Sequence, residues 1–344
     1  DQALNRRRKG AMRLSSMDFR GGVPDGQTRA RERTGRCTVA IKKRASAWTT
    51  FLFLAPSLAG LLAFSALPMA ASLVLGFTRW DGLKPIRWST VREMWVGLGN
   101  YAAILGDAEF WRVLSNTSYF IVLYLPLILI ASISIALLLN RKKPLISAYR
   151  VIYYIPVLCS WVAGALIWKW ILSPQYGLLN NILALVGIEG PSWLQDERWA
   201  MPGIVLASIW KDAGYFGLIF LGGIQGIDPS YYEAAELDGA SRIQKLFRIT
   251  LPLLTPTIFF VVVICVINSF QLFPQVMVMT SNGGQGAGGP LGATQVMVER
   301  IYSYAFKYYK MGYAASWSWL LFIIIFAVTA IQMRLQKKWV YYEA

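Results

Sequence analysis

Three carboxamides lie within one of the longest apolar runs of the chain. Asn268, Gln271 and Gln275 sit in PTIFFVVVICVINSFQLFPQVMVMT, with Ser269 beside the first. In a continuous helix their spacing of i, i+3 and i+7 puts them on one face. Each carboxamide offers two N–H donors and a carbonyl acceptor. Such a set suits the hydroxyl groups of a polar solute and breaks no covalent bond by itself. The preceding apolar run carries Lys211 and Asp212, with Tyr215 three residues on, and an earlier run carries Trp161, whose ring could stack on a solute. Polar side chains deep in apolar runs are costly unless they face a cavity or a partner helix. Two readings therefore stand: these side chains line a path, or they stabilise helix packing. Lys169, near the end of its run, reads as a snorkelling cation. Trp168 and Trp170 beside it read as interfacial aromatics.

Other chemistry is poorly represented. The chain has no histidine, which removes the usual general base and the commonest transition-metal ligand. Its three cysteines, Cys37, Cys159 and Cys265, form neither a disulfide framework nor a metal-ligand spacing. GGQGAGGPLG lacks the GK[ST] ending of a phosphate loop, and no Walker motif occurs elsewhere. The chain is expected to hold no cofactor or metal and to have no catalytic residues. A membrane enzyme would need paired carboxylates or a metal cluster, and the sequence presents neither.

The elements that must position the polar residues are long and apolar. Of the 344 residues 56% are hydrophobic and 15% charged, against about a quarter charged in a soluble domain. Six stretches, about 48–77, 115–139, 151–172, 204–224, 252–280 and 314–333, reach the roughly 20 apolar residues that a span needs. They lack period-2 alternation, so the expectation is an all-α polytopic membrane protein with six transmembrane helices. At about 1.5 Å per residue, Asp212 lies about 12 Å and Asn268 about 18 Å from the same end of their helices, at similar depth.

The net charge of +16 is unevenly placed. Residues 1–47 hold thirteen Lys/Arg against four Asp/Glu. This composition cannot bury a core and reads as a disordered cytoplasmic tail rather than a nucleic-acid arm. NRKKPLISAYR and MRLQKKWVYYEA are basic too, whereas the 173–203 loop has one Arg against three acids. The positive-inside rule then puts both termini in the cytoplasm and the loops at 78–114, 173–203 and 281–313 outside. LGNYAAILGDAEFWRVL in the first of these reads as an amphipathic helix along the outer surface.

Between the fourth and fifth stretches lies the charged, patterned segment YYEAAELDGASRIQKLFRITLPLLTP. Asp228–Pro229 is a helix-start signal. Tyr231, Ala234 and Ala235 share a face, and Gly239 breaks the helix. A second helix follows with Ile243, Leu246 and Phe247 on one side, and Pro252 and Pro256 open the next span. The expectation is a small helical hairpin on the cytoplasmic side.

This segment resembles the EAA loop of binding-protein-dependent ABC importer permeases, at Glu233, Ala234, Ala235, Asp238, Gly239, Ala240, Phe247, Ile249, Leu251, Pro252 and Pro256. The resemblance runs through all six stretches. MGYAASWSWLLFIII and VMVMTSNGGQGAGGP are similar to the carbohydrate-uptake (maltose/glycerol-phosphate permease-like) branch, with a longer glycine run here. The basic extension is similar to that of the larger permease subunits of alginate-oligosaccharide importers, which implies an acidic oligosaccharide among the candidate substrates. The resemblance implies a type I ABC importer permease fold over 48–344, with the coupling loop at 228–251. It implies that Glu233, Ala234, Ala235, Asp238, Gly239 and Ala240 dock on a separate ATPase. Asn268, Ser269, Gln271, Gln275, Asp212, Tyr215 and Trp161 are the candidate sugar path. The implied partners are a second homologous permease, forming a heterodimer, two cytoplasmic ATPase subunits that hold ATP and Mg, an extracytoplasmic solute-binding protein and a carbohydrate, with no nucleic acid. The implied location is the bacterial inner membrane. An ATP-independent secondary transporter, the rival reading, leaves the hairpin unexplained.

Overall fold

The computed structural model describes residues 47–85, 87–141, 144–281 and 288–341. The expected tail at 1–47, except Ala47, and most of the glycine run lie outside them. The chain divides into two compact units at Gly60/Leu61. The described part of the first unit, 47–60, is helix α1 (Ala47–Leu61) without its last residue. A π turn (Leu62–Ala66) and α2 (Leu67–Gly76) follow in the second. Two short helices come next, α3 (Trp88–Glu93) and α4 (Gly99–Gly106), then the 32-residue α5 (Ala108–Leu139). Asp107 divides α4 from α5 because its side chain accepts the Glu109 N–H at 2.9 Å as an N-cap. The expected single surface helix over 98–114 is therefore two elements, and the second span starts at Ala108.

The third apolar stretch is not one helix. α6 (Ile146–Leu158) and α7 (Trp161–Ile171) meet at 97°. Pro156 in the last turn of α6 lacks the N–H that would continue the ladder. Cys159 and Ser160 are extended, and Ser160 Oγ accepts the Ala163 N–H at 3.2 Å to start α7. α8 (Leu178–Leu185) lies in the next loop, and α9 (Glu197–Gln225) is the most enclosed of the long helices. The hairpin comprises α10 (Pro229–Leu237), α11 (Arg242–Lys245), a π turn (Leu246–Thr250) and α12 (Leu251–Leu253).

The fifth stretch is also broken. α13 (Thr255–Phe270) stops before Gln271, and α14 (Pro274–Met279) restarts after Phe273. Phe273 (φ −148°, ψ −63°) precedes Pro274, and a residue before proline is pushed out of the helical region by the ring. α15 (Met297–Tyr302) and α16 (Met311–Leu335) complete the order. Among the described residues four helices are long and apolar enough to cross a membrane, or six if two bent pairs, α6 with α7 (97°) and Arg242–Leu253 with α13 (65°), each count as one span.

α5 and α9 form the centre. They run parallel, since Tyr124 meets Asp212 and, further along both, Ile135 meets Gly217. Their interface buries Phe120, Ile128, Ala207, Phe216 and Phe220. α6 crosses α9 at Gly214, where a Cβ would lie 1.8 Å from the Tyr153 carbonyl oxygen, so only glycine permits this approach. A second buried cluster, including Phe110, Phe270, Met297 and Trp317, joins α5, α13, α15 and α16.

Candidate functional site

The two breaks shape a cavity of about 320 Å³ between the spans. Trp161 opens α7 at the first break. Asn268 and Ser269 sit in the last turn of α13, Gln271 lies in the second break and Gln275 starts α14. Together with Asp212 of α9 all of these line the one cavity. The grouping predicted for the carboxamides is present, but its cause differs. Gln275 joins the others because the chain turns after Phe270, not because one helix presents all three.

Tyr215 does not line the cavity. It is 41% exposed and edge-on to Phe216 at 5.2 Å. Three residues along a helix rotate a side chain about 60° from the starting direction, enough to leave so narrow a wall. Phe120, Tyr124 and Ser208 line the cavity and were not anticipated. Tyr124 and Ser208 are both hydroxyls inside apolar runs, the only local signal that they offered.

The polar groups divide into satisfied and open ones. Tyr124 donates to Asp212 Oδ2 at 2.9 Å. Ser269 Oγ donates to the Cys265 carbonyl at 2.7 Å, which occupies its proton in the helix. Gln275 is 6% exposed, and its Oε1 has no hydrogen-bond partner among the described residues. An acceptor so enclosed leaves a hydrogen bond for a solute to supply.

Lys211 neither snorkels nor lines the cavity. Its Nζ donates to the carbonyls of Pro156 and Val157, each at 3.1 Å, and of Cys159. The cation thus caps the C-terminal end of α6, where carbonyls lack helical partners and the dipole is negative. It also lies 5.3 Å from the centre of the Trp161 ring. Lys169 likewise has a specific partner, the Ser281 carbonyl at 2.9 Å, and ties α7 to the chain after α14. Trp168 is buried edge-on against Trp210 at 6.0 Å, while Trp170 is exposed.

The hairpin follows α9 at its far end. Asp228 caps α10 by accepting the Ser230 N–H at 2.8 Å, which holds its carboxyl below the ordinary value. α10 closes with the Ala240 N–H on the Ala235 carbonyl (2.9 Å) and the Gly239 N–H on the Glu236 carbonyl (3.0 Å). Gly239 has φ +72°, the left-handed conformation this closure requires. Ser241 and Gln244 form a capping box that starts α11. Lys245 pairs with Glu236 at 2.6 Å, and Tyr232 meets Thr250 at 3.0 Å, so both arms are tied. The Lys245 ammonium lowers the Glu236 carboxyl. Glu233, Ala234, Asp238 and Gly239 are exposed, and Ala235 and Ala240 are half-buried. Leu237, Ile243 and Phe247 are 90%, 70% and 64% exposed, three large apolar side chains open on a charged segment. Among the described residues no group of three His, Cys, Asp or Glu side chains is placed to hold a metal.

A family model described as "Binding-protein-dependent transport system inner membrane component" matches residues 95–340. The chain is 35% identical over 318 residues to a probable ABC transporter permease protein, YesP, of Bacillus subtilis, covering 90% of this chain and 99% of the relative. It is 32% identical to the lactose transport system permease protein LacF of Rhizobium radiobacter, covering 82% and 92%. A chain of a bacterial ABC transporter involved in the import of the acidic polysaccharide alginate superimposes with a TM-score of 0.71 at 25% identity. That match covers 85% of this chain and 96% of the other.

Proposed function

The chain belongs to the inner-membrane component family of binding-protein-dependent transport systems, and on that premise we propose that it is a permease subunit of an ATP-driven oligosaccharide importer. The lactose permease and the alginate transporter among its relatives support a carbohydrate cargo. The cargo reaches the complex on a solute-binding protein. The complex comprises this chain, a second homologous permease and two ATPase subunits, which bind ATP and Mg. It resides in the bacterial inner membrane with both termini of this chain in the cytoplasm, as the basic loops favour.

One observation supports the cargo path above the others. Trp161, Asp212, Asn268, Ser269, Gln271 and Gln275, from four helices and a break, line one cavity between the spans. Asn268 and Gln271 offer donors and acceptors to sugar hydroxyls. Gln275 Oε1 accepts from a hydroxyl, and Trp161 stacks on a ring face. Tyr124 holds the Asp212 carboxylate oriented by its hydrogen bond. The site binds and releases; it makes no covalent bond.

Glu233, Ala234, Ala235, Asp238, Gly239 and Ala240 couple this path to the ATPase. The exposed Leu237, Ile243 and Phe247 provide an apolar docking surface, and the Glu236–Lys245 pair lets the hairpin move as a body. Closure of the ATPase pair moves the hairpin, and the spans switch access from one side to the other.

The test is uptake by the reconstituted complex in vesicles with and without internal ATP, for wild type, Asn268→Leu and Gln271→Leu. The expected result is ATP-dependent uptake whose apparent affinity falls in both variants. Uptake without ATP overturns the importer reading. Unchanged affinity and rate in both variants overturns the path.

A further inference from the structure

We propose that a second cavity, at the end of the helix bundle opposite the hairpin, is a separate saccharide subsite that selects a sugar carrying a carboxylate or similar anion. The inference rests on the oligosaccharide-import reading above. The position follows from chain direction. The hairpin succeeds the C-terminal end of α9, and α5 runs parallel to α9. The second cavity lies at Asp107, which caps the opposite end of α5, and at Lys310, which precedes α16. Its volume of about 450 Å³ exceeds that of the cavity between the spans and falls among those of small-ligand pockets, about 300–1,000 Å³.

Its walls are aromatic: Trp80, Tyr304, Tyr309 and Tyr313. Trp80 is fixed by its indole N–H on the Lys84 carbonyl at 2.8 Å and by its own carbonyl, which accepts the Gly312 N–H at 2.9 Å. Tyr304 donates its hydroxyl to Glu109, and Arg300 lies 5.2 Å from its ring centre while pairing with Glu109 at 2.7 Å. These rings are therefore held rigidly from behind. A flat ring packs against the C–H face of a pyranose, and the cost of ordering it has already been met by the fold.

Two cations stand at the same cavity, Arg79 and Lys310, both exposed. Neither has an ion-pair partner among the described residues. One lining carboxylate opposes them, that of Asp107, whose Oδ1 is occupied by the Glu109 N–H. The remaining polar lining residue, Asn100, spends its amide N–H groups on the Gly76 and Thr78 carbonyls. Two cations against one carboxylate leave the lining with a formal charge of +1, which suits charge-assisted hydrogen bonds to an anionic sugar substituent, while Asp107 Oδ2 and Asn100 Oδ1 can accept from neutral sugar hydroxyls.

Tyr309 adds a second, independent observation. It is 56% exposed and has φ +52°, a left-handed conformation that a tyrosine seldom adopts. The flanking backbone enforces it, with the Tyr308 N–H on the Ser303 carbonyl (3.0 Å) and the Lys310 N–H on the Tyr304 carbonyl (2.9 Å). Strain of this kind gathers at ligand clamps. Here it presents an aromatic ring and the next residue's ammonium to one cavity.

Binding is measured on the full complex in lipid nanodiscs without solute-binding protein, and uptake and capture of the solute-binding protein are measured on the same complex in sealed vesicles. A uronic-acid tetrasaccharide and neutral maltotetraose serve as probes, with binding read by calorimetry. The acidic probe is expected to bind, with affinity that falls as salt rises. Arg79→Gln with Lys310→Gln should weaken it at least tenfold and remove most of that salt dependence. Tyr309→Ala should weaken it at least fivefold, whereas Tyr309→Trp should retain it, and melting of the complex reports that each variant is folded. Asn268→Leu should lower uptake, and the salt-dependent component of binding that Arg79→Gln with Lys310→Gln removes should persist in it. Failure of the acidic probe to bind wild type, or binding indifferent to these variants, overturns the proposal. Loss of that component in Asn268→Leu instead locates the probe between the spans, which overturns the second subsite and leaves the importer reading standing. If Tyr309→Ala alters only capture of the solute-binding protein, the surface docks protein and the proposal fails. If no saccharide is taken up by any form of the complex, the importer reading fails with it.

Discussion

Replacing Lys211 by Met removes one buried ammonium and keeps nearly all of the side chain's volume. Lys211 is 6% exposed and donates to three carbonyls at the end of α6. A hydrogen bond to a charged group contributes about 1.5–3 kcal/mol net, and a buried acceptor left unmet costs about 1–3 kcal/mol. Relief of the ammonium's own burial offsets part of the sum. The expected net loss is therefore about 3 kcal/mol. At about 1.4 kcal/mol per tenfold, the bent corner between α6 and α7 loses roughly two orders of magnitude in population relative to looser arrangements. Trp161 begins at that corner and lines the cavity between the spans, so the sugar site should loosen with it. The assay is uptake kinetics of the reconstituted complex together with its thermal unfolding in detergent. Apparent affinity should weaken at least tenfold in Lys211→Met. Lys211→Arg keeps the charge but spreads it over a planar fork, and should fall between. Wild-type affinity and melting in Lys211→Met would refute the reasoning, because the corner would then stand without its cation.

Gly214→Ala places a methyl group 1.8 Å from the Tyr153 carbonyl oxygen; overpacking of this kind costs about 1–3 kcal/mol or more, and melting of the complex should fall by several degrees. A Cβ at Gly239 would meet no atom within 4 Å, but Gly239→Val must adopt φ +72°; the complex should assemble while transport-coupled ATP hydrolysis drops, measured on purified complex. Glu236 titrates below its usual 4.5 because of Lys245; its pair contributes fully above that value and is lost as pH falls through the lowered one, so exchange protection of α10 amides should decline only in acid and not in Glu236→Gln. Burial raises the Glu299 carboxyl, opposed by the Ser303 hydrogen bond at 2.7 Å. Its contribution to stability is greatest below the usual 4.5 and declines as pH rises through the raised value, so Glu299→Gln should flatten the fall in melting temperature between mildly acidic and alkaline pH.

The sequence determined the hairpin nearly to the residue. Asp228, Pro229 and Gly239 act through local backbone geometry, and a cap or a left-handed turn needs no distant partner. It determined the apolar lengths too, because crossing hydrocarbon requires a run that composition displays. That Asn268, Ser269, Gln271, Gln275 and Asp212 should gather was suggested by the cost of polar groups in such runs, and Trp161 by a ring able to stack; all six line one cavity. The tertiary structure decided what brought them together. Two of the six runs break within the cavity wall, at Cys159–Ser160 and at Gln271–Phe273; Pro274 marks the second locally, while the first corner is held by a partner far along the chain. Lys211 is 52 to 55 residues from the carbonyls it caps, so its role had no local signal. The cavity lined by Trp80 and Tyr309 was hidden for the same reason. Its residues come from loops more than 200 positions apart, and only the meeting of the start of α5 with the start of α16 puts them around one space.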